Sequence, residues 1–180
     1  MPARTKQLEL PLHRWGGKRK GAGRKPKGER AGVSHRVRPP LAARYPVHVT
    51  LRLRDGAPNL REGRAYARIR DCLARANDAA EGSGRGRVVH YAVLRNHIHL
   101  VVEAPSRDGL SRGIQGLATR LARGLNAVAK RSGRLFADRY HAHVLKTPRE
   151  VRRALAYVLN NARHHGLVRG RVRDGWTDPY

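Results

Sequence analysis

Two runs rich in β-branched and aromatic residues, 88–94 and 97–104, are separated only by Arg95 and Asn96. So short a connection rules out a crossover, and the runs must pair as an antiparallel hairpin. Upstream, Val47, Val49, Leu51 and Leu53 alternate with His48, Thr50, Arg52 and Arg54, the period-two pattern of a strand with one buried face. Between this strand and the hairpin, Ala65, Tyr66, Ile69, Cys72, Leu73 and Ala76 gather on one side of a helix that ends before Gly82-Ser83-Gly84. After the hairpin, Leu110, Ile114, Leu117, Leu121, Leu125 and Val128 share a stripe of about 80° at roughly 100° per residue, with Asp108 placed to open the helix.

Beyond Ser132-Gly133, residues 135–146 read as a further strand. Thr147-Pro148-Arg149-Glu150 then supplies an N-cap, a proline at the first helical position and a reciprocal carboxylate. The helix it opens is expected to run to about residue 165 and stop at Gly166. The order βαββαβα predicts an α+β fold, a ferredoxin-like antiparallel sheet with helices packed on it.

Residues 1–45 are rich in Gly, Pro, Lys and Arg without helical or strand period, and are expected to be a disordered basic DNA-binding arm. Residues 46–166 form the expected folded domain, and 167–180 a basic and polar tail to which no structure is assigned. Across the 180 residues, 39 Lys and Arg against 13 Asp and Glu leave a formal charge of +26, so the expected partner is a polyanion, with nucleic acid ahead of an anionic membrane. The single cysteine, Cys72, excludes an internal disulfide and a cysteine-rich zinc site. With neither a signal-peptide pattern nor a run of about 20 apolar residues, a cytoplasmic, nucleoid-associated location is expected, and no membrane partner.

Residues two apart in a strand emerge on one face about 6.6 Å apart, so His97 and His99 are placed to converge on one cation while Ile98 enters the core. Two histidines on a solvated face would show the same spacing. On the last helix, Tyr157 and Asn161 stand one turn apart on the flank of a core face made by Val151, Leu155, Val158 and Ala162, with Ala154 at its border. They suit either a nucleophile beside an amide ligand or a half-buried tyrosine sealing the core edge.

The segments NHIHLVVE, GRLFADRYHAHVL and RALAYVLNNARHHG, in this order over roughly residues 46–166, resemble the single-tyrosine HUH transposases, especially the REP-associated tyrosine transposase branch. That resemblance implies a metal-dependent nuclease and strand transferase acting on single-stranded DNA at a hairpin or repeat, with a homodimer as a further option. His97 and His99 would be the ligands of a divalent cation, Mg²⁺ or Mn²⁺, Asn161 the third ligand and Tyr157 the nucleophile that forms a 5′-phosphotyrosine. The branch often has proline after the second asparagine of the helix motif; Ala162 stands there instead and should extend the helix.

Secondary candidates are Tyr140, His141 and His143, a second Tyr and H-x-H set on a strand, and Glu150 and His164, which share the Tyr157 flank. Arg112, Arg123 and Lys130 on the long helix, and Arg24 and Lys25 in the arm, are candidate DNA contacts. Gly23-Arg24-Lys25-Pro26 resembles the Gly-Arg-Pro core of a minor-groove AT-hook, with Lys25 inserted. The alternative reading is a non-catalytic nucleic-acid binder, either a domesticated transposase or a ribosomal or nucleoid-type protein.

Because the cationic charge is spread along the chain, DNA binding should be dominated by phosphate contacts, and the logarithm of affinity should fall linearly and steeply with the logarithm of salt concentration. A titration across salt concentrations in which affinity stays constant would refute this.

Overall fold

A computed structural model of the chain describes residues 37–164, without the side chains of 162–164. The arm up to residue 36, including Arg24 and Lys25, and the tail lie outside the described residues. The elements run β1 (Val47–Arg52), α1 (Gly63–Asp78), β2 (Arg87–Val93), β3 (His97–Glu103), α2 (Arg107–Val128), β4 (His141–Val144) and α3 (Pro148–His164). The α+β expectation and its order hold. The four strands form one sheet in the order β2-β3-β1-β4, and every neighbouring pair is antiparallel.

The hairpin of β2 and β3 closes with Leu94 N–H donating to His97 C=O at 2.9 Å, and a bulge between Val88 and His90 shifts its register. β1 lies against β3, with Val49 opposite Leu100 and Leu51 opposite Ile98. These side chains enter one buried cluster with Ile69 and Leu73 of α1 and with Leu110, Ile114, Leu117, Leu121 and Leu125 of α2. Both crossover helices therefore cover the same face of the sheet. At about 25 cal/mol per Å² of apolar surface removed from water, this cluster is the main stabilising term. Gly113 lets α2 approach the start of β2 closely: a Cβ there would lie 2.8 Å from the Gly86 carbonyl oxygen. At the end of α1, the Asn77 amide pairs with both the N–H and the C=O of Val88, each at 2.9 Å, and ties helix to strand.

Two local expectations are corrected. The side chain that caps α2 is Ser106, whose Oγ accepts from Gly109 N–H at 3.0 Å; Asp108 lies inside the first turn and meets the Arg107 guanidinium. Residues 135–146 are not one strand. Phe136 makes an isolated bridge to Leu53, the chain turns at Asp138, whose carboxylate accepts from Arg139 N–H, and pairing resumes only at His141.

The other face of the sheet is covered by α3, which contacts β2 and β3. Among the described residues no helix is long and apolar enough to cross a membrane.

The packed unit extends upstream of Pro46. Leu41 packs against the core, and the Arg38 guanidinium lies 3.8 Å from the Tyr140 ring centroid and donates to the Tyr140 carbonyl at 2.8 Å. Replacing Arg38 and Leu41 together by alanine should lower the stability of this unit by about 1–3 kcal/mol, through loss of the cation–π contact and of partial leucine burial. Urea unfolding of the variant beside the unaltered chain tests this, and equal midpoints would contradict it.

Candidate active site

The face of the sheet beneath α3 is unusually polar, because the strand alternation that sends valine and leucine to the core sends histidine here. His48 and Thr50 of β1, His97 and His99 of β3, and His141 and His143 of β4 share this face; Thr50 stands opposite His99 on one side and His141 on the other. His99 is nearly buried, at 5% exposure, whereas His141 and His143 are exposed near the sheet edge.

The His97 and His99 rings lie edge to face with centroids 4.8 Å apart, while Ile98 between them is buried in the core. His97 Nδ1 lies 2.8 Å from Asn96 Oδ1, an oxygen that can accept a proton from that nitrogen. His99 Nδ1 lies 3.1 Å from Thr50 Oγ1 and 3.2 Å from His48 Nε2. Its Nε2 faces the Tyr157 hydroxyl at 3.5 Å, with ring centroids 5.1 Å apart. His48 also meets the Tyr157 ring edge-on at 6.0 Å. Burial pushes the His48 pKa below its ordinary value, and the neighbouring His141 and His143 add to the depression. His48 and Thr50 were not candidates from the sequence. Their signal was present in the alternation of β1, but it carried no function until β1 was known to lie beside β3.

The position of Tyr157 is set by the start of α3. Thr147 Oγ1 accepts from Glu150 N–H at 3.2 Å, while Glu150 Oε2 accepts from the N–H groups of Thr147 at 3.0 Å and Lys146 at 2.7 Å. This is the capping box expected from Thr147 and Glu150. Those hydrogen bonds lower the Glu150 pKa, and its other oxygen lies 4.0 Å from His143 Nε2. Its carboxylate thus caps the start of the helix.

The helix is turned relative to the sequence expectation. Among its described side chains Ala154, Val158 and Asn161 are buried, with Val151 and Leu155 only partly covered, a rotation of roughly 60° at 100° per residue. Tyr157 is 43% exposed and Asn161 is fully buried, with neither Oδ1 nor Nδ2 hydrogen-bonded among the described residues. The surface under α3 is a histidine face and not an apolar core, so a polar residue can occupy the buried stripe. An unpaired buried amide costs about 1–3 kcal/mol.

The secondary candidates separate in space. Tyr140 points to the α2 side, its ring under Arg38 and its hydroxyl 3.3 Å from Ser111 Oγ, so it is apart from its sequence neighbours His141 and His143. Arg112 and Arg123 are exposed on α2, across the sheet from Tyr157; Lys130, expected on the same helix, lies past its end at Val128, exposed and with a φ of 48°. His164 ends α3, and its side chain lies outside the described residues. Among the described residues, no group of three or more His, Cys, Asp or Glu side chains is placed to hold a metal ion. A cation here would rest on two imidazoles and an amide oxygen.

Neither a protein-family model nor a curated protein matches the chain. A solved structure shares its fold. A REP-associated tyrosine transposase bound to a REP hairpin superposes with a TM-score of 0.59 at 17% sequence identity, covering 76% of each chain. A protein of Deinococcus radiodurans R1, described as a candidate transposase, gives 0.46 at 15% identity over 64% of this chain and 88% of its own.

Removal of the cap should loosen the element that carries Tyr157: Thr147→Ala should destabilise the protein by about 1 kcal/mol. The Glu150 contribution has a defined sign with pH. A folded-state pKa below the unfolded value stabilises above the unfolded range and is lost as pH falls through the lowered one. The stability difference between wild type and Glu150→Gln should therefore be present at neutral pH and vanish in strong acid. Chemical unfolding at both pH values tests this, and a difference that grew on acidification would contradict it.

Proposed function

We propose that the chain is a DNA nuclease and strand transferase of the single-tyrosine HUH type, of the REP-associated tyrosine transposase branch, acting on single-stranded DNA at a hairpin or repeat. The observation that carries this reading is the Tyr157 hydroxyl set on a capped helix 3.5 Å from Nε2 of His99, whose ring lies 4.8 Å from that of His97. The fully buried, unpaired Asn161 amide one helical turn on is the kind of oxygen donor that a cation site needs. The shared fold of a REP-associated tyrosine transposase supports the same reading.

His97, His99 and Asn161 Oδ1 would hold Mg²⁺ or Mn²⁺, a set with open positions for phosphate oxygens. When bound, the cation would supply positive charge to the scissile phosphate. The chain's own residues do the rest. An ordinary phenol has a pKa of about 10, so Tyr157 must lose its proton as it attacks. Its oxygen bonds to phosphorus, the bond from phosphorus to the 3′ oxygen breaks, and the strand separates as a 5′-phosphotyrosine and a free 3′-OH. The ester conserves the energy of the broken bond, so a 3′-OH can reverse the step and join strands. Partial exposure lets Tyr157 meet a strand from solvent, while the core-facing residues of α3 fix its place before substrate arrives.

Incubating a labelled single-stranded hairpin with Mg²⁺ or Mn²⁺ should give a covalent adduct whose nucleotide maps to Tyr157 by mass spectrometry. Tyr157→Phe should abolish adduct and cleavage while DNA binding persists. His97→Ala or His99→Ala should each slow cleavage by about 100-fold or more, the equivalent of several kcal/mol of charge stabilisation. Asn161→Ala should be partly rescued by higher metal concentration. An adduct on Tyr140, or one still formed by Tyr157→Phe, would overturn the assignment; DNA binding without any adduct would favour the non-catalytic binder.

A further inference from the structure

Three adjacent strands repeat one arrangement on the face beneath α3: a polar pair flanking a residue directed to the core side. The pairs are His48 and Thr50 in β1, His97 and His99 in β3, and His141 and His143 in β4. Only the first touches the inner side of His99. Thr50 is its direct cross-strand partner, and His48 stands one pair along, opposite Val101, with its ring stacked on His99 at 5.2 Å and 28° between planes.

A neutral imidazole has one N–H and one lone pair, and the partner at one nitrogen decides which atom carries which. At His99, Thr50 Oγ1 lies 3.1 Å and His48 Nε2 3.2 Å from Nδ1. The other nitrogen faces the Tyr157 hydroxyl. A phenol hydroxyl is a donor that a lone pair can accept, and a threonine oxygen or a neutral imidazole nitrogen can accept the proton on the far side. At His97, Asn96 Oδ1 can likewise accept a proton from Nδ1. At 5% exposure, His99 has little access to water that could substitute for these partners.

We propose that Thr50 and His48 are positioning residues for His99: they accept its Nδ1 proton and thereby keep Nε2 as a lone pair aimed at Tyr157. The tautomer is inferred from the placement of these partners, whereas its consequence for catalysis rests on the single-tyrosine reading above. Threonine is the more direct of the two, because it is the register partner, and histidine buttresses the ring from the side. A cation at His97 and His99 would need that same Nε2 lone pair, and loss of such supporting hydrogen bonds weakens metal sites by about 10-fold to 100-fold.

The test is a long-range proton–nitrogen NMR correlation on ¹⁵N-labelled full-length protein without metal, at about pH 8, above the ordinary histidine range. Wild-type His99 should show the proton on Nδ1. Combining Thr50→Val with His48→Phe should shift it toward Nε2 and weaken Mn²⁺ binding, measured calorimetrically, by about 10-fold to 100-fold, whereas Thr50→Ser should preserve both. A wild-type proton on Nε2 overturns the proposal, and that spectrum requires no variant to fold. A folded double variant that retains both the tautomer and the Mn²⁺ affinity overturns it equally. Failure of the enzymatic reading would look different: the tautomer as expected, and no DNA adduct on Tyr157.

Discussion

Thr50 stands opposite His99, and the same ladder puts Val49 opposite Leu100 and Leu51 opposite Ile98. Because side chains alternate along a strand, this single register fixes both faces of the sheet at once. A slip of one residue between β1 and β3 would move His99 toward the core and its neighbours Ile98 and Leu100 toward α3. The hydrophobic cluster under α1 and α2 is thus what holds the imidazoles in place, although it touches them only through the backbone. Apolar burial specifies the register, and the register specifies the site.

The helix on the opposite face works under different physics. It covers polar side chains, so its packing cannot come from an apolar stripe alone, and only Ala154 and Val158 are buried apolar residues among its described side chains. Its start is held by the hydrogen bonds among Lys146, Thr147 and Glu150, immediately after β4. Capping at one end and the small buried pair in the middle leave Tyr157 partly exposed and Asn161 fully enclosed. A buried amide without partners lowers stability, and its position one turn from Tyr157 gives that cost a functional reading.

Exposed arginines stand on both sides of the sheet, Arg152 and Arg153 on α3 among them. Arg112 and Arg123 of α2 lie across the sheet from Tyr157, and Tyr140, the rival tyrosine, is held on that same far side by Arg38 and Ser111.

The sequence by itself determined the elements whose rules are local. Alternation in residues 47–53, the two-residue gap at Arg95-Asn96, the helical stripe from Leu110 to Leu125 and the Thr147 to Glu150 box each depend on neighbours within a turn or a few residues, so all four were legible. The common face of His97 and His99 was legible for the same reason. Local signals also misled where they compete: Ser106 outranks Asp108 as the α2 cap, and a turn at Asp138 interrupts the run expected as one strand. Only the tertiary structure decided what lies beside the histidine pair. Thr50 and His99 are 49 residues apart, and Tyr157 and His99 are 58 apart. No short-range period records which strand is central or which edge of a helix meets a polar sheet. Those choices belong to the whole sheet order and to the packing of α3 on it, where the burial of Asn161 and the closeness of His48 and Thr50 to His99 are set.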